Sequence, residues 1–381
     1  MAIERRRVFC SILAAAWLAV AAAPSSAART AEPGVSLLIP YFEVELDQPD
    51  GLTTMFSVRN ASPVLDRQVL AHAVIWSDWG IPVYSWDFYL APGDMVSYNL
   101  RDLLAYGNLP ATSPPVGVGS RCARPLAPSL APDALAALQR RLTGRPDPGS
   151  GLCSSEPRQD SRVATGSITI DYVEDCAHDG IDDPFDAGYF TGTPALAGKI
   201  HSLVGDFFLV DPAADLAEGY SAHPLHLVGQ QYPSFWDSTE RPDLRREGLA
   251  TKWRLRFLQG GPFEARTSFF VFSRRAVPPQ PAACELIPAA LSPHGIWSFD
   301  VFSQSGERVV EYLQVPSQGR RTAARIELDL PAELLSGTVI FRSYRMMGLG
   351  VPIPIDGQSL LFGAIEARGR FGTGIFGTPI D

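Results

Sequence analysis

Apolar residues recur along this chain in short runs, several of them alternating with polar positions, and the runs are separated by clusters of turn formers. Ser36–Glu45, Thr53–Arg59, Val69–Trp76, Val83–Leu90 and Met95–Leu100 are rich in Val, Ile, Phe, Tyr and Trp, the pattern of half-buried strands. Gln48-Pro49-Asp50-Gly51, Asn60-Ala61-Ser62-Pro63, Asp78-Trp79-Gly80 and Ala91-Pro92-Gly93-Asp94 fall between them as turns. Short strands punctuated this regularly predict a mainly β protein built from immunoglobulin-like β-sandwich modules.

Five strands are few for such a module, which has about seven. The next good strand, Ser167–Val173, follows a Pro-, Gly- and Ser-rich break over 111–162. That break holds one short helix, with Pro132 in its first turn, Leu135, Leu138 and Leu142 on one face and Gly144 as terminator. We read it as a helical insertion into a first β-domain spanning 33–275. Gly205–Val210, His223–Val228, Trp253–Phe257 and Thr267–Phe272 supply further strands. The proline-rich Val277-Pro278-Pro279-Gln280-Pro281 cannot continue a ladder, because proline lacks the N–H donor. After this linker, Ile296–Phe302, Thr322–Leu328, Thr338–Tyr344 and Ser359–Glu366 predict a second β-domain over 284–381.

The N-terminus has a different pattern. Arg5, Arg6 and Arg7 precede an apolar run from Val8 to Ala23, and small residues follow to Ala28. That order predicts a secretory signal peptide over 1–28, cleaved after Ala28. Arg6-Arg7-Val8-Phe9 approaches the twin-arginine export motif but lacks its flanking residues, so the general secretory route is the expected one. Phe9 before Cys10 excludes a lipid anchor. No later run is long enough to span a membrane without a charge or proline. The expected address is periplasmic or extracellular. Net charge is -9, and residues 1–28 carry three arginines and one glutamate, which leaves the rest at about -11. An acidic chain of this kind excludes nucleic acid and anionic lipid as partners.

Four cysteines remain beyond the signal: Cys122, Cys153, Cys176 and Cys284. An even number in an exported chain predicts two disulfides, and the absence of any C-x-x-C pair argues against a metal site. Cys122 and Cys153 bracket the helix, so we expect Cys122–Cys153 to staple the insertion and Cys176–Cys284 to tie the β regions. Gly372-Thr373-Gly374-Ile375-Phe376-Gly377 matches G-x-G-x-x-G, but no helix or acidic residue can follow it as a dinucleotide site requires. There is no G-x-S-x-G or H-E-x-x-H motif. His223 and His226, three apart around a proline, are not spaced to share a strand face.

Two groups of residues remain as candidates. From Asp171 to Asp186 the chain carries seven carboxylates, and Asp179, Asp182 and Asp183 could supply oxygen ligands to a structural calcium. A solvated acidic loop is the alternative. Trp79, in a turn among the aromatic residues of the third and fourth strands, is the candidate for an exposed platform that stacks on a glycan. Leu38-Ile39-Pro40-Tyr41-Phe42-Glu43-Val44, Trp76-Ser77-Asp78-Trp79-Gly80-Ile81-Pro82, Asn99-Leu100-Arg101-Asp102-Leu103 and Gly205-Asp206-Phe207-Phe208-Leu209-Val210-Asp211-Pro212 together resemble a loosely defined family of exported bacterial β-rich proteins without an assigned activity. That resemblance covers residues 36–275 and carries no site residue over. The expectation is a non-enzymatic binding or scaffold protein with a glycan or an envelope protein as partner. A carbohydrate-active or other hydrolase with a site outside known motifs is the alternative.

Overall fold

The computed structural model describes residues 32–62, 68–110, 129–157, 162–173, 200–225, 249–273, 280–284, 296–314, 321–347, 351–357, 359–367 and 371–380, with Pro184, Asp186, Tyr189 and Gly198. It is mainly β, as the alternating pattern predicts. Residues Pro33–Asp381 form one compact unit.

The first two sheets come from residues 36–225. Strands β1 (Ser36–Glu45), β3 (Val69–Ser77), β4 (Pro82–Leu90), β7 (Val163–Val173) and β10 (His223–Leu225) form an antiparallel sheet in the order β10-β1-β7-β3-β4. Strands β2 (Thr53–Asn60), β5 (Met95–Asn99), β8 (Leu203–Asp211) and β9 (Leu216–Ser221) form a second, in the order β5-β2-β8-β9. Aromatic residues join them: Tyr98 of β5 meets Trp86 and Phe88 of β4 edge-on at 5.5 Å. Strand β2 alternates buried with exposed residues because one of its faces meets solvent. Every residue of β3 is buried, so the first sheet is covered on both faces.

The other two large sheets alternate through the rest of the chain. Strands β11 (Lys252–Leu258), β14 (Ile296–Ser303), β15 (Arg308–Gln314), β17 (Ser336–Met347), β18 (Val351–Gly357) and β21 (Thr378–Pro379) make one, with β17 at its centre. Strands β12 (Arg266–Ser273), β16 (Ala323–Ile326), β19 (Ser359–Ala367) and β20 (Phe371–Phe376) make the other, in the order β16-β12-β19-β20. This last sheet is the central layer. Phe269 of β12 packs toward Phe299 of β14, while its neighbour Phe270 packs on Tyr41 of β1 at 5.1 Å. Adjacent strand residues point to opposite faces, so two consecutive phenylalanines serve two different cores. On β19, Phe362 meets Phe207 of β8 and Tyr220 of β9.

Pairing crosses the expected boundary between 275 and 284. Strand β11 pairs with β17 and β12 pairs with β16 and β19, so residues 252–273 belong to sheets completed by the last third of the chain. The physical reason is two-sided burial: Phe269–Phe272 need apolar cover on both faces, and the N-terminal strands provide it on one only.

The predicted helix is present as α2 (Pro132–Leu142), with Leu138 and Leu142 buried. A second helix, α1 (Leu100–Tyr106), stands where the pattern extended a strand to Leu100. Asn99 caps it by accepting from the Arg101 N–H, and Gly107 ends it in the left-handed region at φ 73°. Among the described residues no helix is long and apolar enough to cross a membrane.

The cysteine pairing differs from expectation. Cys153 bonds to Cys284, which rules out both Cys122–Cys153 and Cys176–Cys284. The cause is a two-stranded ladder of β6 (Leu152–Cys153) and β13 (Ala282–Ala283), with Ala282 opposite Cys153, that carries the distant cysteine to the base of the insertion. Cys122 and Cys176 lie outside the described residues.

Candidate functional site

The central sheet faces the first two sheets with a track of charged side chains that runs from the surface into the seam. Arg266 of β12 pairs with Glu327, and both are about half-exposed. Arg325 of β16 stands 3.9 Å from Glu327, 3.3 Å from Glu366 of β19 and 3.9 Å from Glu43 of β1. Its Nη2 also donates to Ser268 Oγ at 3.0 Å, and its guanidinium lies over the Phe270 ring. Burial works against the charge on Arg325, but Glu43, Tyr41, Glu366 and Glu327 together outweigh it and raise its pKa.

The track ends at Glu218 of β9, which is only 3% exposed. Tyr220 Oη lies 3.1 Å from Glu218 Oε2 and 3.2 Å from the Gly363 carbonyl oxygen, while Glu218 Oε1 has no hydrogen-bond partner. Burial, reinforced by the charge of Glu366, pushes the Glu218 carboxyl up to about 7, against the pull of Tyr220 and Arg325. The glycine-rich run near the C-terminus finds its explanation here. A Cβ on Gly372 would stand 2.9 Å from Glu218 Cγ, and one on Gly374 would stand 2.6 Å from the Gly219 carbonyl oxygen and the Tyr220 ring. These glycines let β20 approach β9.

The outer end of the track opens into a cleft of about 620 Å³, lined by Gln259, Arg266, Thr267, Glu327 and Asp329 among others. Its wall is the corner where the chain passes from β11 in the outer sheet to β12 in the central one. Gly260 and Gly261 take positive φ there, as does Glu264 at φ 48°. Leu258, Phe263 and Leu335 are exposed at this corner, and the Leu335 carbonyl accepts from the Gln259 N–H.

A second polar group lies across the first sheet. Ser36, Asp171, His72 and Asp87 stand directly opposite one another on β1, β7, β3 and β4. Asp87 lies between Trp86 and Phe88, which turn into the sandwich, so the row occupies the outer face. The Ser36 hydroxyl donates to one Asp171 oxygen and the Tyr189 hydroxyl to the other. His72 Nδ1 is 2.6 Å from Asp87 Oδ1. Burial raises the Asp171 pKa, opposed by these hydrogen bonds and by His72. The serine here serves an aspartate rather than the histidine, so the row lacks the order that activates a nucleophilic serine.

Trp79 does not form an exposed platform. It is 1% exposed, with its indole N–H directed at Glu156 Oε2, 3.4 Å away. Its turn is a joint: Asp78 accepts from the Glu156 N–H through its carboxylate and from the Thr322 N–H through its carbonyl. The base of the insertion and the start of β16 therefore cover the tryptophan from both sides. Asp179, Asp182 and Asp183 lie outside the described residues. Among the described residues, no three His, Cys, Asp or Glu side chains converge as a metal site. Glu218 and Tyr220 went unnoticed in the sequence, although Leu216-Ala217-Glu218-Gly219-Tyr220-Ser221 alternates as a strand should.

No protein-family model matches the chain, and no curated protein does. Among solved structures, it is similar at a TM-score of 0.13 to a protein of Bacteroides fragilis named a β-galactosidase, with 7% identity over 89% of this chain and 32% of that one. A calcium-binding mutant of β-glucuronidase 2 from Bacteroides uniformis has the same TM-score, with 9% identity over 88% of this chain and 26% of that one. The chain spans about a third or less of those proteins, and we draw nothing about function from a likeness at this level.

Proposed function

We propose that this is an exported, non-enzymatic β-sandwich protein that acts by binding an envelope glycan or envelope protein at the cleft beside Arg266 and Glu327, or by holding such a partner in a scaffold. The observation that carries this reading is the cleft itself. Its volume is that of a ligand site, it opens on a pre-paired arginine and carboxylate, and exposed Leu258, Phe263 and Leu335 stand at its corner. Cosedimentation of the purified mature protein with bacterial envelope fractions tests it. Retention should fall about tenfold in Phe263→Ser combined with Leu335→Ser, a loss of the size given by removing interface anchors. Retention that these changes leave untouched would overturn the reading.

One observation favours a hydrolase. Burial raises the Glu218 carboxyl to about 7 while Glu366 is paired with Arg325, the division of roles seen in acid–base carboxyl pairs. Chromogenic glycosides and esters, screened from pH 5 to 8, separate the two readings. Turnover abolished by Glu366→Gln would favour the hydrolase, and no turnover is the expected result.

A further inference from the structure

The Tyr220 hydroxyl has one proton and two acceptors within reach, and the two lie on opposite sides of a seam. Glu218 shares β9 with the tyrosine, whereas Gly363 belongs to β19 of the central sheet. A tyrosine hydroxyl donates once. It can donate to both sides only in turn, and the protonation of Glu218 decides which. We propose that Glu218 and Tyr220 form a proton-operated latch across the seam between β9 and β19. With Glu218 neutral, its carboxyl donates to Tyr220 Oη, and the tyrosine proton serves the Gly363 carbonyl. With Glu218 ionised, the tyrosine turns its proton to the carboxylate and the Gly363 carbonyl loses this donor.

The surroundings make the neutral state the closed one. Glu218 faces Tyr220 on its own strand, Arg325 on β16, Glu366 on β19 and the backbone of Gly372 on β20. Arg325 is already engaged by Glu366, Glu43 and Glu327, so it does not supply Glu218 with a dedicated counter-charge. Glu218 Oε1 is buried without a partner, which an ionised oxygen tolerates poorly. Burial and Glu366 set the working range, carrying Glu218 from the ordinary 4.5 up to about 7. Between those values the folded state holds a proton that the unfolded chain has lost. The stability that Glu218 contributes is therefore greatest in acid and is lost as pH rises from about 4.5 through about 7.

Hydrogen–deuterium exchange of peptides covering Leu216–Ser221 and Ser359–Ala367 tests the latch at pH 5.5 and pH 8, after correction for the intrinsic pH dependence of exchange. Wild type should be protected about tenfold more at pH 5.5 than at pH 8. Glu218→Gln cannot ionise and should abolish the difference, and Glu366→Gln should move the transition to lower pH. Tyr220→Phe keeps the ring in the aromatic cluster and, without the hydroxyl, should remove the dependence from Ser359–Ala367, while Leu216–Ser221 keeps the part set by the burial of Glu218. If Glu218→Gln does not fold, wild type and Tyr220→Phe still decide the matter. A seam equally protected at both pH values in wild type, or a dependence of Ser359–Ala367 that survives Tyr220→Phe, would overturn the proposal.

Discussion

At the scale of single residues, Asp171 is the most consequential polar group outside the seam. It is buried, accepts from the Ser36 and Tyr189 hydroxyls, and stands directly opposite His72. Asp171→Ala would remove the acceptor of two buried hydroxyl hydrogen bonds, at a cost of about 2–4 kcal/mol. Urea denaturation should show this as a lower midpoint with unchanged slope, and Tyr189→Phe should cost less because it removes a single bond. The pKa of Asp171 is raised, so its favourable share in stability is largest in acid and declines as pH climbs above the ordinary carboxyl range. None of this row was legible in the sequence. Ser36, His72, Asp87 and Asp171 are scattered, and only the register of four antiparallel strands lines them up. The one available sign was His72 at the centre of Leu70-Ala71-His72-Ala73-Val74, where a polar residue in an apolar run needs a buried partner.

At the scale of elements, most large strands could be read from their alternation, and α2 from its proline and leucine spacing. Helix α1 was missed because Leu100 continued the apolar pattern of β5, yet Asn99 and Gly107 were present as start and stop signals. Cysteine pairing was not legible, since sequence order says nothing of which strand comes to lie beside which. The β6–β13 ladder settles one bond, Cys153–Cys284, with a sequence separation of 131. Closing a loop that long is worth about 4–5 kcal/mol in the chain-entropy model, so Cys284→Ser should lower stability by about that amount. Non-reducing peptide mapping should recover a Cys153–Cys284 peptide and, by parity, Cys122 joined to Cys176. Free thiols at Cys122 and Cys176 would contradict the second assignment.

At the scale of the whole molecule, the central sheet makes the chain Pro33–Asp381 one unit where the linker at 277–281 pointed to two. Proline content marks a break in a ladder but does not report which strands meet across it. A fragment of residues 33–275 should therefore show no cooperative urea transition, because β12 would lack both β16 and β19. A fragment that unfolds cooperatively at the midpoint of the full chain would contradict this. The position of β12 also has a consequence in time. Both of its neighbours are translated after it, so Phe269–Phe272 leaves the ribosome with no strand on either side. At synthesis rates of ~5–20 residues per second, that stretch waits for seconds with bare edges. During that interval the β19 of another newly made copy fits β12 as well as its own does, so crowding of unfolded chains raises the share of exchanged dimers.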